Sequence, residues 1–282
     1  MAVEAGHKTA VVARGYKRKA KGLIEVDSKS TWQEVGDEPL EIFRLTDNVR
    51  VYVDDSKTKA AQQAAKDGAE VIIIDDGFQH RKLHRDYDIV CLDWTSPFSN
   101  GHMLPLGLLR EPISNIKRSD AIIFTSYDRN VKTKIDKSFI PQKQYYSTIR
   151  IENFYNIKSN EIRNIESFEN LKAVAFAGLG NPVKFEKSLR ESGIDIIDFV
   201  SFPDHHHYST NDINQLIKRA RHLRPLGREH NAKCLITTYK DAVKIDSFDF
   251  AGFDVYSAML ELSIADSSGA DGHNKLKTWL GI

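Results

Sequence analysis

A chain of 282 residues, 41% hydrophobic and 28% charged, has the length for one large or two smaller α/β domains and the composition of an ordinary globular protein. Lysine and arginine number 40 against 39 for aspartate and glutamate, a net charge of +1, so no global field argues for a nucleic-acid partner. No apolar run approaches the ~18 residues of a membrane span and no signal peptide opens the chain, which reads as a cytoplasmic type. Cys91 and Cys234 both fall inside apolar runs, and the expectation is two buried free thiols rather than a disulfide.

In chain order, "MAVEAGH" (1–7) reads as the closing turn of a helix with Gly6 as its C-cap, running into a strand, "KTAVVARG". A basic loop, "YKRKAKG", and a mixed region holding "VGDEPLEIFR" follow. Next come a strand "VRVYVDD", a helix "SKTKAAQQAAKDG" ending at Gly68, and a strand "AEVIIIDD". That βαβ rhythm predicts a parallel sheet with a right-handed crossover. "DYDIVCLDW" and "SDAIIFTSYD" read as further strands, separated by the loop-like "SPFSNGHMLPLGLLREP". From about residue 141 a second βαβα rhythm begins with "KQYYSTIRIENFYNI" and ends with "AKCLITTYKDAVKI". The expected architecture is two α/β lobes, 1–140 and 141–282, with a cleft between them.

Several stretches carry chemistry-bearing residues. Val71 to Ile74 form an unalternating apolar run, expected to be a strand covered on both faces, and Asp75 and Asp76 follow it at once. The carboxyl end of such a strand is where open α/β sheets place ligands, and paired acids there call for a cation. The same two acids also serve as a plain helix cap. Gly77 permits a tight turn that delivers Gln79 and His80 to the same rim; His80 alone reads as a surface hydrogen-bonder. "VGDEP" places Asp37 and Glu38 in a Gly/Pro-bounded turn, which suits a rigid general base and equally an ordinary Asx-turn.

"FPDHHHYS" sets three histidines after Asp204; adjacent residues rarely face one ion, so an Asp–His pair fits better than zinc. Arg110 and Glu111 close the Gly/Pro loop, where the arginine suits a phosphate or a structural carboxylate. The basic loop 13–22 suits a phosphorylated ligand or anionic head groups, or simply water.

Taken together, "RGYKRK", "GDEP", "DDGFQHR", "LREP", "AGLGNP", "FPDHH" and "TTYKDAVK" resemble the tetraacyldisaccharide 4'-kinase family from about Thr9 to Ile245. The resemblance implies a P-loop-kinase-like parallel sheet flanked by helices, with a second α/β lobe. It implies transfer of the ATP γ-phosphate to the 4'-hydroxyl of a tetraacylated glucosamine disaccharide 1-phosphate lipid, at the cytoplasmic face of the bacterial inner membrane. Matched residue by residue, Asp75 and Asp76 would hold Mg²⁺, Asp37 would be the catalytic base, and His205, directly after Asp204, would be its partner. Gln79, His80, Arg110 and Glu111 match polar residues of the ATP-binding cleft. A catalytically inactive lipid-disaccharide-binding protein is the alternative.

One family motif is missing. The phosphate loop G-x-x-x-x-G-K-[ST] does not occur in these residues, and "AGLGNP" lacks its lysine and hydroxyl. In the family that loop and its helix precede the strand matched by "TAVVARG". A membrane helix of about 20 residues and a strand–loop–helix of roughly 30 then put on the order of 50 residues upstream. Without them the expectation is an inactive chain with an open sheet edge.

Overall fold

The computed structural model describes residues 1–282 except 134, 136–139, 142 and 222–231. The apolar run β1 (Thr9–Ala13) is buried along its length: a parallel strand pairs with it on each edge, β3 (Val49–Val53) and β4 (Val71–Ile74), and helices cover both faces. A short antiparallel β2 (Ile24–Glu25) extends the sheet beyond β3, giving the order β2-β3-β1-β4. Helix α3 (Lys57–Lys66) is alanine-rich on one face, so Ala60, Ala61 and Ala64 lie close against Ala10, Val12 and Tyr52. On the opposite face, α1 (Trp32–Val35) and α2 (Asp37–Leu45) bury Val35 and Leu40 against Val11, Val51 and Val53.

The second sheet is larger and has the order β10-β9-β11-β12-β7-β6-β5. Its strands are β5 (Ile89–Asp93), β6 (Ala121–Thr125), β7 (Lys143–Asn156), β9 (Lys172–Gly178), β10 (Asp195–Phe202), β11 (Cys234–Thr238) and β12 (Asp254–Asp266). The strand β8 (Ile162–Asn164) pairs β7 off this path. Within each half the pairing is parallel, and the halves meet at one long antiparallel ladder between β7 and β12. Helices α4 (Pro182–Glu191) and α5 (Thr210–Arg221) cover β9 and β10 from opposite faces: Phe185 and Leu189 join one apolar cluster, Ile213, Leu216 and Ile217 the other. The last element, α7 (Gly272–Leu280), packs Leu276 against Ala121 and Tyr145. Between β11 and β12 lies α6 (Tyr239–Ile245), whose Val243 enters the apolar cluster of the first sheet beside Val35 and Leu40. That side chain ties the two sheets together.

Several expectations meet the structure directly. Residues 1–7 close a helical turn in a Schellman arrangement: His7 N–H donates to Ala2 O at 3.0 Å and Gly6 N–H to Val3 O at 2.9 Å, with Gly6 at φ +89°. The run 71–74 is a strand, but not one covered on both faces. β4 has a neighbour on one edge only, and Ile73 is 51% exposed. Cys234 is buried as expected, whereas Cys91 is exposed because β5 is likewise an edge strand. The change of sheet falls between β4 and β5, so it does not coincide with the lobe boundary drawn at 140 from the sequence.

Candidate active site

Asp37 does not sit in a turn; it begins α2. Pro39 is tolerated there because a first-turn residue has no intrahelical use for its N–H. Gly36 precedes it at φ +98°, and a Cβ on Gly36 would stand 3.0 Å from Gly15 Cα, so the chain closes tightly behind the aspartate. Asp37 is 5% exposed, and its Oδ1 accepts the Glu38 N–H at 3.0 Å.

The histidine run leaves β10 through Pro203 and Asp204, and its three imidazoles go to different places. His206 turns to Asp212 at 3.2 Å, and His207 packs edge-on to Trp32 with ring centroids 4.7 Å apart. Burial and the nearby Lys17 ammonium push the His207 pKa down. His205, at φ +55°, places Nδ1 3.0 Å from both carboxylate oxygens of Asp37. The other nitrogen of His205, Nε2, faces Lys240 Nζ at 3.2 Å. Tyr16 stacks obliquely on His205 at 5.0 Å, and Tyr16, Lys17 and Trp32 line one pocket with Asp37 and His205. The basic loop thus delivers its aromatic and a lysine to this pocket, while Arg18 turns inward to the Val53 carbonyl at 3.3 Å.

At the end of β4, Asp75 N–H donates to Val12 O at 3.0 Å, and Asp76 takes φ +48°. Lys57, at the start of α3, donates to the backbone carbonyls of both residues, at 2.8 Å for Asp76, rather than to their carboxylates. Burial raises the Asp75 carboxyl, with the charges of Asp76 and Glu38 adding to it, and burial lowers Lys57. Two adjacent oxygen donors, one short of charge compensation, fit a hard divalent cation completed by water and phosphate oxygens. Among the described residues no group of three or more His, Cys, Asp and Glu side chains is placed to hold a metal, so any cation here rests on the pair.

The remaining candidates form a rim. Gln79 Nε2 lies 3.4 Å from Glu111 Oε1. Glu111 also accepts from Asn115 and Arg118 at 2.9 Å and from Arg81 at 3.2 Å. Burial works to raise its carboxyl, but these donors hold it below the ordinary range. His80 Nε2 meets Thr58 Oγ1 at 3.2 Å, and exposed Arg110 is close enough to help depress Lys57. The structure therefore joins Asp37 with His205 and Gln79 with Glu111, while His80 meets Thr58 and Arg110 stays exposed. Sequence reasoning passed over Lys57, Lys240, Asp241 and Lys244; the four-residue spacing of Lys240 and Lys244 in "YKDAVK" was the available signal.

The chain matches the family described as tetraacyldisaccharide-1-P 4'-kinase over residues 1–277. It is 31% identical to a tetraacyldisaccharide 4'-kinase of Halothermothrix orenii, covering 92% of this chain and 73% of that protein. It is also 31% identical to one of Bdellovibrio bacteriovorus, covering 94% and 78%. Among solved structures, it resembles the crystal structure of the "apo" form of LpxK from Aquifex aeolicus in complex with ATP. The TM-score there is 0.74 at 28% identity, over 99% of this chain and 80% of the other. Sequence, fold and length of match agree: the chain belongs to the tetraacyldisaccharide-1-P 4'-kinase family.

Proposed function

We propose that the site serves transfer of the ATP γ-phosphate to the 4'-hydroxyl of a tetraacylated glucosamine disaccharide 1-phosphate, giving the bisphosphorylated lipid IVA. The observation that carries this reading is the Asp37–His205 pair, formed across the two sheets in a chain of this family. Asp37 is a buried carboxylate lining a small pocket, placed to take the proton of an attacking hydroxyl brought within hydrogen-bond reach. His205 donates Nδ1–H to it and fixes its orientation. Asp75 and Asp76 would hold Mg²⁺, which when bound offsets charge on the phosphoryl group. Lys57 keeps the two acids in place by binding their carbonyls.

In this reading the first sheet, β1 to β4 with its helices, belongs to a kinase core of P-loop type carrying the base, and the second sheet, β5 to β12, carries its histidine. Leu104, Leu106 and Leu108 stand 63%, 80% and 75% exposed on the loop before Arg110, which suits acyl chains and peripheral contact with the inner membrane's cytoplasmic face. No helix of the described residues is long and apolar enough to cross a membrane.

The pattern G-x-x-x-x-G-K-[ST] does not occur in the 282 residues, and this favours a second statement. We infer that these residues alone do not turn over ATP, because the triphosphate lacks its backbone cradle and lysine. The test is ATP-dependent 4'-phosphorylation of the disaccharide lipid by this chain beside a form extended upstream with a phosphate loop. Activity in the extended form alone supports both statements. Activity in both overturns the second, and activity in neither moves the lipid-binding alternative forward.

A further inference from the structure

Lys240 and Lys244 stand one helical turn apart on α6 and reach the two members of the Asp37–His205 pair separately. Lys240 Nζ lies 3.0 Å from Glu38 Oε1, 3.1 Å from Asp204 Oδ1 and 3.2 Å from His205 Nε2. Burial pulls the Lys240 ammonium down, but its bond to Glu38 and the charges of Glu38 and Asp37 outweigh that and raise it. An ammonium has donors and no acceptor, so the nitrogen facing it must accept. Nε2 therefore carries the lone pair and Nδ1 the hydrogen, the same tautomer that the acceptor-only Asp37 carboxylate selects at Nδ1.

Lys244 lines the same pocket as Asp37 and His205. Its side chain is 1% exposed, with Nζ 3.4 Å from Asp37 Oδ2 and 2.8 Å from Asp241 Oδ1. The approach to both is out of line for a hydrogen bond, so the contact is ionic. Asp241 is fully buried and anchored in turn, its Oδ2 accepting the Gly178 N–H and the Thr238 hydroxyl, each at 2.8 Å. Those anchors are the ends of β9 and β11, so the ionic chain from Gly178 to Asp37 runs from the second sheet to a helix of the first. A buried ammonium costs several kcal/mol unless it is paired, and here it is held between two carboxylates.

We propose that Lys240 and Lys244 are positioning residues for phosphate transfer: Lys240 anchors the His205 ring by donating to Nε2, and Lys244 holds the Asp37 carboxylate in place. The turnover part rests on the kinase reading; the anchoring part does not. On the chain labelled with ¹⁵N-histidine, the His205 imidazole should show the hydrogen on Nδ1 and a hydrogen-bonded lone pair on Nε2. Lys240→Met should move the Nε2 resonance to that of a lone pair without a donor, while Nδ1 keeps its hydrogen on Asp37. An unchanged Nε2 resonance in the variant overturns the assignment, whatever the enzyme does.

In the phosphate-loop-extended form, Lys240→Met should lower kcat about 10- to 100-fold, as for other residues that orient a catalytic group, with the acceptor KM unchanged. For Lys244 the variant is Lys244→Met with Asp241→Asn, which removes both buried charges and so preserves the fold. Combined with Asp37→Asn, it should cost no more than Asp37→Asn alone. Additive losses would make α6 merely structural and sink the proposal. If the extended wild type transfers no phosphate at all, the kinase reading fails and the Nε2 measurement still decides this one.

Discussion

His205 Nδ1 stands 3.0 Å from both oxygens of Asp37, although 168 residues of chain separate them and they belong to elements of different sheets. Neither neighbouring histidine reaches Asp37, since His206 is engaged by Asp212 and His207 by Trp32. The positive φ of His205 is the device that separates it from them, turning its side chain away from the direction the next two take.

His205→Ala should therefore lower kcat by about 10²-fold or more, the scale of one acid–base participant. His206→Ala, on the same loop, should stay within about 3-fold, as for a surface substitution. Steady-state turnover of the phosphate-loop-extended form checks both. Equal losses would mean that the loop's shape matters and not the pairing.

Glu41 lies one turn after Asp37 on α2, and burial pushes its carboxyl up to about 7 from an ordinary 4.5. The folded chain holds this proton to higher pH than the unfolded chain does. Stability is therefore lost as pH rises from about 4.5 to about 7, by at most about 3 kcal/mol. Glu41→Gln should unfold at a higher denaturant midpoint than wild type near pH 8 and at an equal one near pH 4. A gap that persists at the lower pH would assign the effect to packing.

Gly36 has a left-handed φ of +98°, and its Cα hydrogen faces Gly15. Gly36→Ala should cost about 1–3 kcal/mol by thermal or urea unfolding, since both the backbone region and the contact oppose a side chain. It should also weaken the Asp37–His205 contact, read as a changed His205 imidazole resonance. A neutral effect on stability would show that the loop carrying Gly15 yields freely.

Mg²⁺ should raise the melting temperature of the chain, and Asp75→Asn with Asp76→Asn should abolish that rise while leaving the fold intact. Because burial raises Asp75, proton and cation compete for it at a higher pH than for an ordinary aspartate, so the Mg²⁺ effect should fade on acidification. An undiminished shift in the double variant would place the cation elsewhere.

Much of the site was legible because its residues stand at element ends, where Gly, Pro and carboxylates punctuate apolar runs. "VIIIDDG" gave a strand and its acid rim, and Gly6 gave a helix C-cap. The strand's one-sided exposure was not legible from the run alone, since an apolar strand reads the same with one neighbour as with two. "VGDEP" looked like a turn because its Gly and Pro are turn residues, yet Pro39 is compatible with a first helical turn and the packed Leu40 decides for helix. Lys240 and Lys244 went unnoticed because the residues after "KCLITT" read as a loop, where lysines usually face water, whereas they form α6. Only tertiary packing places this pair against His205 and Asp37.

The central claim is that Asp37 acts on the hydroxyl and not in holding the substrate. In the phosphate-loop-extended form, Asp37→Ala should lower kcat by about 10³-fold while the Kd for the disaccharide 1-phosphate lipid stays within about 3-fold of wild type. Equal losses in kcat and affinity would make Asp37 a structural residue and contradict the account.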